Sequence, residues 1–135
     1  MKRVLVFGTF DIFHKGHESF LQQAKAQGDF LRVVVARDAT VEKVKGRKTL
    51  HGELARKKEI EKSGLADEVV LGNLGDKFLI VKEYAPDVIC LGYDQKFFIE
   101  ELQTKLFEFG LKETKIMRLE SYMPEKYKSS LLRGK

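Results

Sequence analysis

Short apolar runs alternate with longer amphipathic segments along this chain, and the alternation predicts a regular order of strands and helices. Apolar and β-branched residues form runs that predict five strands, at residues 2–7, 30–37, 68–71, 88–91 and 115–119. Apolar residues at helical spacing predict four helices between them, at residues 16–27, 52–62, 78–84 and 98–110. The basic segment 38–50 is predicted to be a linker.

This order of elements indicates an α/β protein. Right-handed crossovers between successive strands predict a five-stranded, mainly parallel sheet with helices on both faces. The length of 135 residues suits a single domain, 1–135. Ligands of such sheets bind beyond the carboxyl ends of the strands, near the point where the winding reverses. Polar residues gather at these ends in four stretches: 8–17, 37–48, 92–96 and 120–130.

Composition narrows the classes of protein. The chain has 25 basic and 20 acidic residues, and its formal net charge of +5 suits a polyphosphate ligand as well as a nucleic acid. It has no RNA-binding signature or long basic block, so we expect no nucleic-acid partner. No run could span a bilayer and no secretory signal begins the chain, so we expect no membrane association. The single cysteine, Cys90, fits a buried thiol in the reducing cytoplasm.

The sequence GTFDIFHKGH, residues 8–17, carries the candidate chemistry because it joins the first predicted strand to the first predicted helix. Gly8 and Gly16 allow a ligand to approach the backbone closely. The amino end of a helix attracts phosphate through its free N–H groups and its dipole. His14 and His17 are three residues apart and can meet one anion if their turn follows the helical pitch. The stretch therefore predicts a phosphate-binding site.

Three other kinds of site fit this stretch poorly. A zinc site could draw on Asp11, His14 and His17, but Cys90 is isolated and His51 has no partner motif. The Walker A pattern GxxxxGK[ST] is absent, and so is the dinucleotide fingerprint GxGxxG. We therefore predict no metal centre built from protein side chains.

The same stretch resembles the HxGH signature of the cytidylyltransferase-like nucleotidyltransferases, and most closely the archaeal FAD synthase branch of that family. That branch is similar to this chain in three further segments: LQQAKAQGDFLRVVVARDATVEKVKGRK, PDVICLGYDQKF and YKSSLLR. The resemblance covers nearly the whole chain and implies a Rossmann-like nucleotidyltransferase fold. It also implies direct attack of a phosphomonoester oxygen on the α-phosphate of a nucleoside triphosphate, which releases pyrophosphate without a covalent enzyme intermediate.

The resemblance assigns roles to residues. His14, His17 and Lys45 are the expected catalytic groups, since imidazole and ammonium donors stabilise charge on the α-phosphate. A divalent cation such as Mg²⁺ is expected to be bound mainly through the triphosphate, with Asp11 as a candidate contact. The expected nucleotide-binding residues are Gly8, Thr9, Phe10, Asp11, Lys15, Gly16, Lys43, Arg56, Gly92, Tyr93, Asp94, Tyr122, Ser129 and Ser130.

Three functions are compatible with these features. The first is an FMN adenylyltransferase, which transfers AMP from ATP to FMN and gives FAD and pyrophosphate. The second is a cytidylyltransferase that forms a CDP-alcohol from CTP and glycerol-3-phosphate or a similar phosphomonoester. The third is a nucleotide-binding sensor without turnover, which the intact HKGH sequence disfavours. The resemblance also favours a homodimer, the common arrangement for small enzymes.

Overall fold

A computed structural model of the chain describes residues 1–73, 78–92 and 99–119, without the side chains of Val44 and Lys45. The described residues form five strands and five helices. The strands are β1 (Arg3–Gly8), β2 (Phe30–Val35), β3 (Glu68–Leu71), β4 (Val88–Leu91) and β5 (Lys115–Arg118). The helices are α1 (Lys15–Lys25), α2 (Asp38–Lys45), α3 (Glu53–Ser63), α4 (Leu79–Tyr84) and α5 (Ile99–Glu108).

The described strands form one parallel sheet in the order β3-β2-β1-β4-β5, which confirms the predicted fold class. β1 lies at the centre, and its last residue, Gly8, is paired with Val35 of β2. The chain winds outward from β1 through β2 to β3, and then returns to the other side of β1 to form β4 and β5. The winding therefore reverses between β1 and β4, where parallel sheets of this kind bind ligands.

Buried side chains cover both faces of the sheet. Successive residues of a strand point to opposite faces, so β1 contributes to two clusters. One cluster joins Val6 to Leu21 of α1 and Ile60 of α3. The other joins Leu5 to α4 and α5, including Leu102. Helices therefore pack on both faces, as the alternating sequence pattern predicts.

The prediction of a linker at residues 38–50 was wrong, because residues 38–45 form α2. Val41, 4 % exposed, is its one fully buried apolar residue among those whose side chains are described, so α2 lacks the apolar stripe that would have revealed it. Its ends are stabilised instead. The backbone N–H of Asp38 donates to Glu53 Oε1 at 2.8 Å, and Gly46 ends the helix in the left-handed conformation at φ +72°. The other predicted elements are confirmed, with described ends shifted by at most two residues.

Candidate active site

The stretch 8–17 lies at the reversal of winding. It begins at the last residue of β1, and Gly92 follows the neighbouring strand β4 at the same edge of the sheet. α2 begins after β2, the other neighbour of β1. Three of the four predicted polar stretches therefore begin at adjacent strand ends. The fourth, 120–130, lies outside the described residues.

His14 is the N-cap residue of α1. Its backbone is extended at φ −142°, and its Nδ1 accepts the backbone N–H of Gly16 at 3.0 Å. Since Nδ1 accepts a hydrogen bond, the proton of the neutral ring is on Nε2. Burial lowers the pKa of His14 below its ordinary value of 6.5, which favours this neutral form. The cap thus fixes one ring nitrogen as acceptor and leaves the other as an N–H donor.

His17 lies in the first turn of α1 and stacks on His14. The two ring centroids are 3.9 Å apart, with planes inclined by 25°. Two phenylalanines also contact the His17 ring: Phe10 meets it edge-on at 5.2 Å, and Phe13 stacks at 5.8 Å. We call Phe10, Phe13, His14 and His17 the aromatic cluster. The structure therefore brings the two predicted catalytic histidines together at the amino end of one helix.

Phe10 is 5 % exposed and belongs to the core, so its ring packs inside the protein although the residue was predicted to bind nucleotide. Its backbone adopts the left-handed conformation at φ +53°, which is uncommon for a residue with a side chain. A Cβ atom at Gly8 would lie 2.4 Å from the Phe10 ring. Glycine at position 8 is therefore required by the packing of Phe10.

Asp11 turns its carboxylate toward the protein and is 5 % exposed. Its two side-chain oxygens accept the backbone N–H groups of Leu50 at 3.0 Å and His51 at 2.9 Å. His51 Nδ1 lies 2.7 Å from the main-chain oxygen of Asp11 and donates to it, because a carbonyl only accepts. Asp11 therefore fastens the turn after β1 to the segment before α3. A contact between its carboxylate and nucleotide stays a prediction.

Arg56, on α3, is 1 % exposed. Its Nη1 donates to the main-chain oxygen of Thr9 at 2.8 Å, its Nε to that of His51 at 3.0 Å, and its Nη2 to Asp38 Oδ1 at 2.7 Å. The guanidinium thus contacts three separate segments of the protein. Because the side chain is buried among these acceptors, its contact with phosphate stays a prediction.

The remaining predicted residues fall into two groups. Lys15 opens α1 and is exposed, and Lys43 lies exposed on α2. Lys45 ends α2, but its side chain is outside the description. Five predicted nucleotide-binding residues lie outside the described residues: Tyr93, Asp94, Tyr122, Ser129 and Ser130.

Sequence reasoning missed three residues that hold the site together. Asp38 and Glu53 begin α2 and α3, and each accepts the backbone N–H of the other. His51 bonds Asp11 and Arg56. The sequence does contain a signal for Asp38 and Glu53, since an acidic residue often begins a helix. Their pairing joins residues 15 positions apart, which no local pattern reveals.

In residues 1–73, 78–92 and 99–119, no three His, Cys, Asp or Glu side chains come together as a metal site. Within the same ranges, no helix has the length and apolar character needed to cross a bilayer.

The geometry defines a class of enzyme. Two stacked imidazoles at the amino end of a helix, beyond the central strand of a parallel sheet, can bind a polyphosphate and stabilise charge on it. The sequence matches the cytidylyltransferase-like family over residues 5–135. The chain belongs to this family and is a nucleotidyltransferase, as the HxGH resemblance implies.

Several relatives are similar over most of their length. The FAD synthase of Aciduliprofundum boonei is 43 % identical over 122 residues, which are 90 % of this chain and 80 % of that protein. The FAD synthase of Thermoplasma volcanium is 42 % identical over 135 residues, which are 100 % of this chain and 94 % of that protein. A crystal structure described as the lipopolysaccharide core biosynthesis protein from Thermoplasma volcanium GSS1 has a TM-score of 0.84 and 43 % identity, and covers 90 % of this chain and 98 % of that one.

Proposed function

We propose that this enzyme is an FMN adenylyltransferase, which transfers AMP from ATP to FMN and produces FAD and pyrophosphate. The observation that carries the reaction type is the stacked pair of His14 and His17 at the amino end of α1. The choice of substrates is supported by the FAD synthases of Aciduliprofundum boonei and Thermoplasma volcanium, at 43 % and 42 % identity.

The reaction is an in-line displacement at phosphorus. A phosphate oxygen of FMN attacks the α-phosphorus of ATP, and a new P–O bond forms. The bond from the α-phosphorus to the oxygen that bridges to the β-phosphate breaks, and this oxygen leaves with pyrophosphate. Negative charge builds up on the α-phosphate oxygens as phosphorus becomes five-coordinate, so donors aimed at those oxygens lower the barrier.

The residues of the helix start supply such donors. The proposed donor of His14 is Nε2–H, which is buried in this structure, because its Nδ1 already accepts the N–H of Gly16. His17 stacks on that ring, which supports a proposed role for it at the same phosphate. The amino end of α1 adds a fixed positive potential, and Lys15 adds a charge beside it. Together these groups attract the triphosphate and stabilise its α-phosphate during transfer.

The other predicted contacts belong to the same proposal. Lys43 and Lys45 of α2 would bind phosphate oxygens, with Lys45 nearest in role to the catalytic groups. Gly92 would allow the nucleotide to approach the end of β4. We also propose that five residues outside the described ranges contact the base, the ribose and the phosphates: Tyr93, Asp94, Tyr122, Ser129 and Ser130.

Mg²⁺ enters as part of the MgATP substrate in this proposal. Mg²⁺ usually keeps several waters and binds triphosphate oxygens, so it needs few protein ligands. The geometry of Asp11 fits this arrangement, because both oxygens of its carboxylate already accept backbone N–H groups. When bound, the cation neutralises charge on the pyrophosphate leaving group.

A second candidate is the transfer of CMP from CTP to glycerol-3-phosphate or a similar phosphomonoester. The match to the cytidylyltransferase-like family favours this second candidate. The two candidates share the chemistry at phosphorus and differ only in the base and the acceptor.

A matrix of substrates tests the proposal. Purified enzyme is given Mg²⁺ with ATP or CTP and with FMN or glycerol-3-phosphate, and both pyrophosphate release and the nucleotide product are measured. We expect FAD from ATP with FMN, and loss of that product in a His17→Asn variant. If the pairing of CTP with glycerol-3-phosphate is the only one that gives product, the second candidate replaces the proposal. Tight binding of nucleotide without pyrophosphate in any pairing would indicate a sensor.

The proposal includes the cellular location of the enzyme and its oligomeric state. A cytoplasmic location fits the use of ATP and the single buried thiol of Cys90. A homodimer is proposed as the working state, and light scattering coupled to gel filtration at micromolar concentration tests it. A mass of one chain at that concentration would contradict the dimer.

A further inference from the structure

Arg56 is a charged residue that lies almost completely buried. Arg56 is 1 % exposed. Its guanidinium donates to Thr9 in the turn after β1, to Asp38 at the start of α2 and to His51 in the segment before α3. A buried guanidinium is stabilised only while its donors keep their acceptors, so these bonds hold the three segments at fixed distances.

Asp11 is a second tie between the turn and the segment before α3. Its carboxylate accepts two backbone N–H groups of that segment, from Leu50 and His51, and its main-chain oxygen accepts from the His51 ring. Thr9 and Asp11 are thus both fastened to residues 50–56, and they stand on either side of Phe10, which contacts the His17 ring.

The starts of α2 and α3 are joined to each other as well. Asp38 N–H donates to Glu53 Oε1 at 2.8 Å, and Glu53 N–H donates to Asp38 Oδ2 at 3.1 Å. Burial alone would raise the pKa of Asp38, but hydrogen bonds from Arg56, the Glu53 backbone and Thr49 hold it below its ordinary value. The carboxylate therefore stays charged opposite Arg56. We call Asp11, Asp38, His51, Glu53 and Arg56 the polar network.

We infer that Arg56 is a positioning residue, which sets the histidine-bearing turn against α2 so that the imidazoles and the α2 lysines act on one triphosphate. The inference rests on the proposed nucleotidyl transfer. It assigns Arg56 to the inside of the protein, where it contacts the turn and α2 without touching phosphate. Lysine cannot replace it, because one ammonium does not span three acceptors that a planar guanidinium reaches.

The test compares Arg56→Lys with Arg32→Lys. Arg32 is a matched control because it is partly buried, bonds a carboxylate at Glu68 and stacks on Tyr84, outside the polar network. For Arg56→Lys we expect kcat for FAD formation to fall about tenfold or more, since small misplacements of catalytic groups have such effects. KM for MgATP should change much less, because no phosphate contact is removed. Arg32→Lys should keep the wild-type kcat.

A second measurement needs no substrate. The chain has three histidines, so their ring protons can be resolved and assigned by NMR. We expect the ring resonances of His14 and His17 to shift in nucleotide-free Arg56→Lys and to stay in place in Arg32→Lys. A residue that served only as a phosphate ligand would leave them unmoved. This measurement is independent of which nucleotide and acceptor the enzyme uses, so it separates a failure of this inference from a failure of the proposed function.

The inference is overturned if Arg56→Lys raises KM for MgATP with kcat unchanged, or if both histidine resonances match the wild type. If Arg56→Lys does not fold, Asp38→Asn carries the same two measurements. That side chain is 49 % exposed and can be replaced without opening the core, and it removes the charged acceptor of Nη2. A wild-type kcat together with unshifted resonances in Asp38→Asn would equally overturn the inference.

Discussion

The turn after β1 is supported in two different ways on its two sides. Toward α1, the aromatic cluster surrounds His17 with rings from Phe10, Phe13 and His14, all within seven residues of it. Toward α2 and α3, the polar network fastens Thr9 and Asp11 through bonds to residues 39 to 47 positions away. One support is local and aromatic, and the other is distant and polar.

The difference has physical consequences. Aromatic contacts act mainly through burial, so their loss lowers the stability of the protein. Buried hydrogen bonds to charged groups are directional, so a changed partner alters geometry and leaves unmatched donors. We therefore expect variants of the two phenylalanines of the aromatic cluster to be detected first by unfolding, and variants of the polar network first by turnover.

The largest effect is expected from Phe10→Ala. Phe10 is 5 % exposed and contacts His17 and Phe20, and truncation of a buried phenylalanine costs about 3–5 kcal/mol of unfolding free energy. Chemical denaturation measures the loss. Phe10→Leu is the matched control, because it keeps the strained backbone position and part of the volume, and it should lose clearly less. Equal losses in the two variants would contradict a role for the buried volume of the ring.

His14 separates stability from turnover. His14→Ala removes both the N-cap acceptor and the Nε2 donor, so it should lower the unfolding free energy by about 1 kcal/mol and turnover by about a hundredfold. His14→Asn should restore the stability, because asparagine is a good N-cap, while turnover stays low. Denaturation and pyrophosphate release measure the two effects. An asparagine variant with wild-type turnover would show that capping is the only role of His14.

The polar network gives a smaller effect that depends on pH. The pKa of Asp38 is lowered below its ordinary value of 3.8, because the hydrogen bonds from Arg56, Glu53 and Thr49 outweigh burial, which acts in the opposite direction. A lowered carboxyl pKa adds stability that is complete above about pH 3.8 and is lost as the pH falls toward the folded-state pKa. The unfolding free energy of the wild type should therefore drop between pH 5 and pH 3 more than that of Asp38→Asn.

Asp67 provides the control for this prediction. Its pKa is also lowered, chiefly by the hydrogen bond from Lys25 and then by the backbone of Leu31, at the amino-terminal side of the sheet. Between pH 5 and pH 3, the unfolding free energy of Asp67→Asn should also drop less than that of the wild type, while its turnover stays at the wild-type value. Asp38→Asn should lose turnover as well. Equal turnover in the two variants would contradict a link between the polar network and the histidines.

The same contrast explains what the sequence could predict. The strands and the meeting of His14 with His17 were accessible, because the apolar pattern and the HxGH signature are local. α2 was missed because its helix is fixed at its first residue by Glu53 instead of by an apolar stripe. The placement of Arg56 was also missed, since its three acceptors are brought together only by the parallel sheet and the packing of α3. Local sequence patterns therefore predict contacts between residues that are close in sequence. The hydrogen bonds of the polar network join distant residues and are revealed only by the fold.

The smallest effect is expected at Cys90, which reports whether a variant disturbs the sheet. Burial raises the pKa of its thiol to about 12, and the residue is 0 % exposed in β4, so alkylation at pH 8 requires the sheet to open. Phe10 and Cys90 belong to one buried cluster, so Phe10→Ala should speed alkylation. Arg56→Lys should leave its rate at the wild-type value, because the polar network lies outside that cluster. Equally fast alkylation in both variants would mean that the polar network supports the sheet as well as the turn.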